Sequence, residues 1–161
     1  MKISSSSGKG NFKLTKDKEE ICELIYNNWF SGKATTVLKG NKIEIKPKNI
    51  WTSSVEIHKN ESKIGDITFN LKGQMVIRLS KPDGEEFNYV MKNKAKWTLK
   101  FDVFDASNEL QFSLNSVNKW TKLNYDYDIE MERENPEFDM EELALYCGYA
   151  ANLYLAIVSA V

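Results

Sequence analysis

Histidine occurs once in this chain, at His58, and cysteine twice, at Cys22 and Cys147. A single imidazole removes the base from most Ser-His-Asp and Cys-His designs and the ligand set from most zinc enzymes. His58 also continues the alternation of Val55 and Ile57, which turns it to solvent beside Glu56. Two cysteines far apart in apolar surroundings form neither a disulfide framework nor a zinc pattern; they read as buried thiols of a reducing compartment. Three prolines and eight glycines exclude a fibrous or linker-like chain. The N-terminal segment lacks the apolar core of a secretory signal, and Lys2 stands where a myristoylated glycine would be. A cytoplasmic chain is therefore expected.

What is present is apolar surface in a regular order. The 161 residues are 42% hydrophobic and 12% aromatic, enough for one domain with its own core. Residues 1–11 read as a flexible Ser/Gly/Lys tail, and residues 12–161 as a single domain. Residues 19–30 allow either a helical turn or a strand, with apolar positions at 21, 24, 25 and 29.

From about residue 34 to 132 the period is two. Ile43 and Ile45 alternate with Lys42, Glu44 and Lys46. Ile67, Phe69 and Leu71 share a face, as do Met75, Ile77 and Leu79, then Phe87, Tyr89 and Met91. Trp97, Leu99, Phe101 and Val103 make the strongest single strand, and Tyr125, Tyr127, Ile129 and Met131 the last. Turns such as Lys39-Gly40-Asn41 and Lys81-Pro82-Asp83-Gly84 separate them. Eight or more short strands, each with one dry and one wet face, predict a mainly β fold: an antiparallel meander closed into a barrel, because closure disposes of exposed edges.

The pattern then changes. Asn135-Pro136 breaks the last strand, Asp139 is placed to cap a helix, and Glu141 and Glu142 fall in its first turn. From Leu143 to Val161 only Asn152 and Ser159 are clearly polar, apart from tyrosine hydroxyls. A helix over about 139–161 with no polar face belongs either in a protein core or in a membrane. Its length of roughly 28 Å would just span hydrocarbon, so a tail-anchored protein with a cytosolic β domain is the alternative. The acidic approach, the many small residues and Asn152 near the middle favour a helix that fills the barrel.

A meander over residues 34–132 followed by the apolar segment Leu143–Val161 resembles the tubby C-terminal-like superfamily, which includes the tubby proteins, the plant LURP-one-related proteins and the phospholipid scramblases. The resemblance covers roughly residues 20–161. It implies a twelve-strand barrel around a central C-terminal helix, with the strands not yet counted lying in residues 12–30 and 115–124. It also implies phosphoinositide or membrane-surface binding. The proline-rich region and calcium-binding segment of the scramblases have no counterpart here.

Net charge is −1, but it is unevenly distributed. Residues 1–100 hold 19 Lys+Arg against 11 Asp+Glu, and residues 101–161 hold 3 against 12. Lys92, Lys94, Lys96 and Lys100 form a basic row, a candidate surface for anionic lipid or for a protein partner. Lysines pairing with an acidic neighbour, or protecting a sheet edge, would look the same. Asp126, Asp128, Glu130, Glu132 and Glu134 form an acidic row on one strand face; a flat row lacks the convergence of a calcium or glycosidase site. The tryptophans Trp29, Trp51, Trp97 and Trp120 suit a core, a barrel rim or an aromatic platform. A pI of about 5.9 argues against nucleic acid. No catalytic set, metal site or cofactor motif is expected, and the chain reads as a non-enzymatic binding domain with peripheral membrane contact.

Overall fold

Alternation decides the sheet. Ile43 and Ile45 are buried while Lys42, Glu44 and Lys46 face outward, and the same two-residue rhythm recurs from hairpin to hairpin. The computed structural model describes residues 1–28, 31–48, 54–95, 99–117, 125–133 and 138–159. Among them the strands are β1 (Lys2–Ser5), β2 (Phe12–Lys16), β3 (Glu19–Asn28), β4 (Lys33–Leu38), β5 (Asn41–Pro47) and β6 (Ser54–Lys59). They continue with β7 (Ser62–Phe69), β8 (Met75–Ser80), β9 (Glu86–Asn93), β10 (Lys100–Phe104), β11 (Leu110–Val117) and β12 (Asp126–Met131). One helix, α1 (Met140–Val158), follows. Every strand pairs antiparallel with its successor, and β1 pairs with β12 at Lys2–Asp128 and Ile3–Tyr127. The result is a closed twelve-strand antiparallel barrel.

The N-terminal segment differs from the expected flexible tail. β1 is the strand that closes the barrel, held between β12 and β2. Its only buried residue is Ile3, so the serine-rich sequence around it carries little alternation to read. Residues 19–28 resolve to a strand, with Cys22, Leu24 and Tyr26 inward. Two of the strands sought in residues 12–30 are therefore β2 and β3. In the stretch 115–124, β11 runs to Val117 and the rest lies outside the described residues.

The lumen is filled by α1. Asp139 caps it by accepting from the amides of Glu141 and Glu142 at 3.0 and 3.2 Å. Residues 142–151 are all buried, which explains a helix without a polar face: strands surround it on every side. Close fit depends on Gly148, where an added Cβ would lie 2.7 Å from Phe12 Cζ and 2.8 Å from Ile3 Cδ1. The helix is longer than the barrel is tall. Strands of about six residues tilted about 40° rise roughly 15 Å, or about ten helical residues. The last two turns therefore emerge, with Ala156 and Val158 exposed. No helix among the described residues is long and apolar enough to cross a membrane; the segment that suggested a tail anchor spends its first half inside the barrel.

Candidate functional site

A meander sends alternate connections to opposite ends. The upper end is where α1 begins, and it gathers the β2–β3, β4–β5, β6–β7, β8–β9 and β10–β11 turns. The lower end is where α1 emerges. Tyr149 Oη there donates to the Gly32 carbonyl at 2.7 Å, and Asn152 Nδ2 donates to the Gly10 carbonyl at 3.0 Å.

The upper end is an ion-pair network between the basic first part of the chain and the acidic start of α1. Lys39 Nζ lies 2.5 Å from Asp139 Oδ2 and 2.9 Å from Glu141 Oε2. Lys16 reaches Glu141 at 3.0 Å, and Lys59 reaches Glu142 at 2.7 Å. The two unevenly charged halves thus interleave here. The Lys39 ammonium, with help from Lys16, holds the Glu141 carboxyl below its usual range. Burial alone would raise Asp139, but Lys39 and the amides of Glu142 and Glu141 outweigh it and hold the carboxyl low. Tyr146 donates to Glu142 at 2.6 Å; burial first, and then the adjacent carboxylate, push its phenol far upward. A cavity of about 610 Å³ opens beside this network, between Lys59, Lys63, Lys81, Phe138 and Glu142. Each of its lysines already has a carboxylate: Glu142, Glu56 and Glu85 respectively.

The lysine row runs the other way, down β9 and across to β10. Lys92 faces Asp102, donates to Asn108 Oδ1 at 3.1 Å and lies over the Phe104 ring at 4.3 Å. Lys94 is exposed, with its ammonium 3.9 Å from Asp102 Oδ2. The Lys94 amide donates to the Lys100 carbonyl at 2.8 Å, so these two lysines are cross-strand neighbours on the outer face at the lower end. Lys100 is exposed and makes no ion pair among the described residues. Lys96 lies outside the described residues, as do Trp29, Trp51, Trp97, Trp120 and Glu134.

The acidic row does not neutralise the lysine row. β10 and β11 separate β9 from β12, which puts Lys92 and Lys94 roughly 14 Å from the acidic row, and β11 keeps Lys100 roughly 10 Å from it. Asp126 is buried and accepts from the Ser5 amide at 2.8 Å. Asp128 faces Lys2 at 4.0 Å, and Glu130 accepts from Asn115 at 3.3 Å. His58 stands on the outer face with Nε2 3.2 Å from Glu56 Oε2. An apolar cavity of about 280 Å³ that no sequence pattern marks lies at the lower end, between Tyr26, Gly32, Pro47, Tyr149, Asn152 and Ala156. Its walls come from four separate segments, and only the register of helix and barrel brings them together.

No protein-family model matches the chain, and no solved structure matches it. A stretch of 78 residues is 30% identical to part of a protein named ribonuclease E from Buchnera aphidicola subsp. Schizaphis graminum (strain Sg). The match covers 48% of this chain and 8% of that one.

Proposed function

We propose that this chain is a tubby-like barrel module that works by binding rather than catalysis, in the cytoplasm, and that its ligand is an anionic phosphate-bearing surface met by Lys92, Lys94, Lys96 and Lys100. The observation that carries it is the juxtaposition of Lys94 and Lys100. Like charges directly opposite on adjacent strands oppose each other and destabilise the pair. Asp102 lies 3.9 Å from the Lys94 ammonium, and Lys100 has no ion pair among the described residues. An anion across the pair would relieve that repulsion, and the outward, exposed position leaves room for one. The buried free thiols of Cys22 and Cys147 suit a reducing compartment. The twelve-strand barrel with a helix in its lumen supports the tubby-like assignment through its order of elements.

Flotation with phosphatidylcholine vesicles, with and without phosphatidylserine, tests the function. Binding should require the anionic lipid and fall with salt, because exposed charges are screened beyond about 8 Å at physiological ionic strength. The double variant Lys94→Glu, Lys100→Glu should lose it. Unchanged flotation of that variant, or preference for a single-stranded oligonucleotide over vesicles, would overturn the proposal.

A further inference from the structure

The two ends of the barrel differ in charge. The described turns at the upper end carry Asp17, Glu61, Asp83, Glu85, Asp105 and Glu109 against Lys18, Lys39 and Lys81, a net acidic set, and α1 begins there with Asp139 as its cap. The described connections at the lower end carry Lys9, Lys48, Lys72 and Lys94, joined by Lys100 at the start of β10, and no Asp or Glu among the described residues between those strand ends. Carboxylates reach this end only from the flanking strands: Asp102 lies 3.9 Å from the Lys94 ammonium, Glu23 accepts from Ser6 Oγ at 2.6 Å, and Asp126 is buried and bonded to the Ser5 amide. The connections are therefore net acidic at one end of the barrel axis and net basic at the other.

Apolar side chains protrude at the same basic end. Leu71, at the tip of the β7–β8 turn, is 108% exposed and precedes Lys72. The turn is a built one: Asn70 Oδ1 accepts from the amides of Lys72 and Gln74 at 2.9 and 3.0 Å, which fixes the tip with Leu71 outward. Val158 is 42% exposed and lies one turn beyond Tyr154 on the same helix face. Tyr154 packs on Phe69 at 6.1 Å and on Phe101 at 5.2 Å, and accepts from Asn93 at 3.3 Å. These contacts gather the ends of β7, β9 and β10 around the emerging helix, so Leu71, Val158, Lys94 and Lys100 belong to one end face.

Resting on the anionic-surface function proposed above, we infer that the chain docks end-on: the lower end of the barrel lies on an anionic bilayer, Leu71 enters the headgroup–acyl boundary, and Lys72, Lys94 and Lys100 meet the headgroups around it. Protruding apolar side chains within a basic rim suit an interface that is apolar at depth and negative at its surface. The acidic upper end faces away, where like charge would repel the membrane. A free phosphate would satisfy the lysines but leave Leu71 in water.

The test places an environment-sensitive NBD label at Leu71→Cys or, in a separate chain, at Asp83→Cys on the opposite end. Cys22 and Cys147 are buried, so the unsubstituted chain should take up no label. With phosphatidylserine-containing vesicles the label at position 71 should brighten several-fold and shift to the blue, while the label at 83 stays unchanged. Leu71→Ser should weaken vesicle binding about tenfold, as expected for one leucine withdrawn from an apolar environment. A silent label at 71 on a chain that still floats, or a response at 83, would overturn the end-on orientation and leave the function standing. Absence of flotation would overturn both.

Discussion

Lys59, at the end of β6, holds Glu142 of α1 at 2.7 Å across 83 residues of sequence. Glu142 is itself buried in the mouth of the barrel and accepts from Tyr146. This contact anchors the start of the helix, and removing only the cation strands a buried carboxylate. Lys59→Met should destabilise the fold by about 2 kcal/mol, and Glu142→Gln by less, because the amide keeps a hydrogen bond without a charge. Denaturant unfolding of the two variants checks the order; equal losses would contradict it.

Gly148 sets how deeply the helix can sit among Ile3 and Phe12. In an exposed helix Gly→Ala would stabilise by about 1 kcal/mol. Here the added methyl meets two side chains below 3.0 Å, and Gly148→Ala should instead lower stability by about 1–3 kcal/mol. A rise in the unfolding midpoint would show that the lumen has slack.

Acid should loosen the upper end first. Asp139 and Glu141 there titrate below their ordinary values in the fold. A depressed carboxylate binds fewer protons folded than unfolded, so its contribution is complete above the unfolded value, 4.5 for Glu141, and is lost as pH falls through the folded one. Thermal midpoints should fall on acidification below that point. Lys39→Met should flatten the fall, because Lys39 partners both Asp139 and Glu141. An unchanged curve would mean that these pairs do not survive in solution.

Much of the fold was legible in the sequence because most strands bury one face. Ile43 and Ile45, Ile77 and Leu79, Phe101 and Val103 announce their strands by alternation alone. β3 is obscured because Ile25 is apolar yet outward and 47% exposed, which breaks the two-residue rhythm into something helix-like. β1 is hidden because a closing strand of four residues needs only Ile3 to be apolar; its place is set by pairing with Tyr127, far along the chain. The candidate site was half legible. Lys92 and Lys94 follow from alternation, but their separation from Asp128 and Glu130 depends on strand order around the barrel. Lys72 could have joined them, since every second turn of a meander returns to one end; Leu71 was read as part of a strand face rather than as the tip of the turn.

The most direct measurement is hydrogen exchange of the full chain with and without phosphatidylserine vesicles. Residues 143–151 should exchange slowly in both conditions, since the barrel surrounds them. Vesicles should add protection at 70–74 and at the Lys94 and Lys100 strand ends, and none at 81–85 on the acidic end. Fast exchange over 143–151 would remove the helix from the lumen, and protection confined to 81–85 would place the binding surface at the wrong end of the barrel.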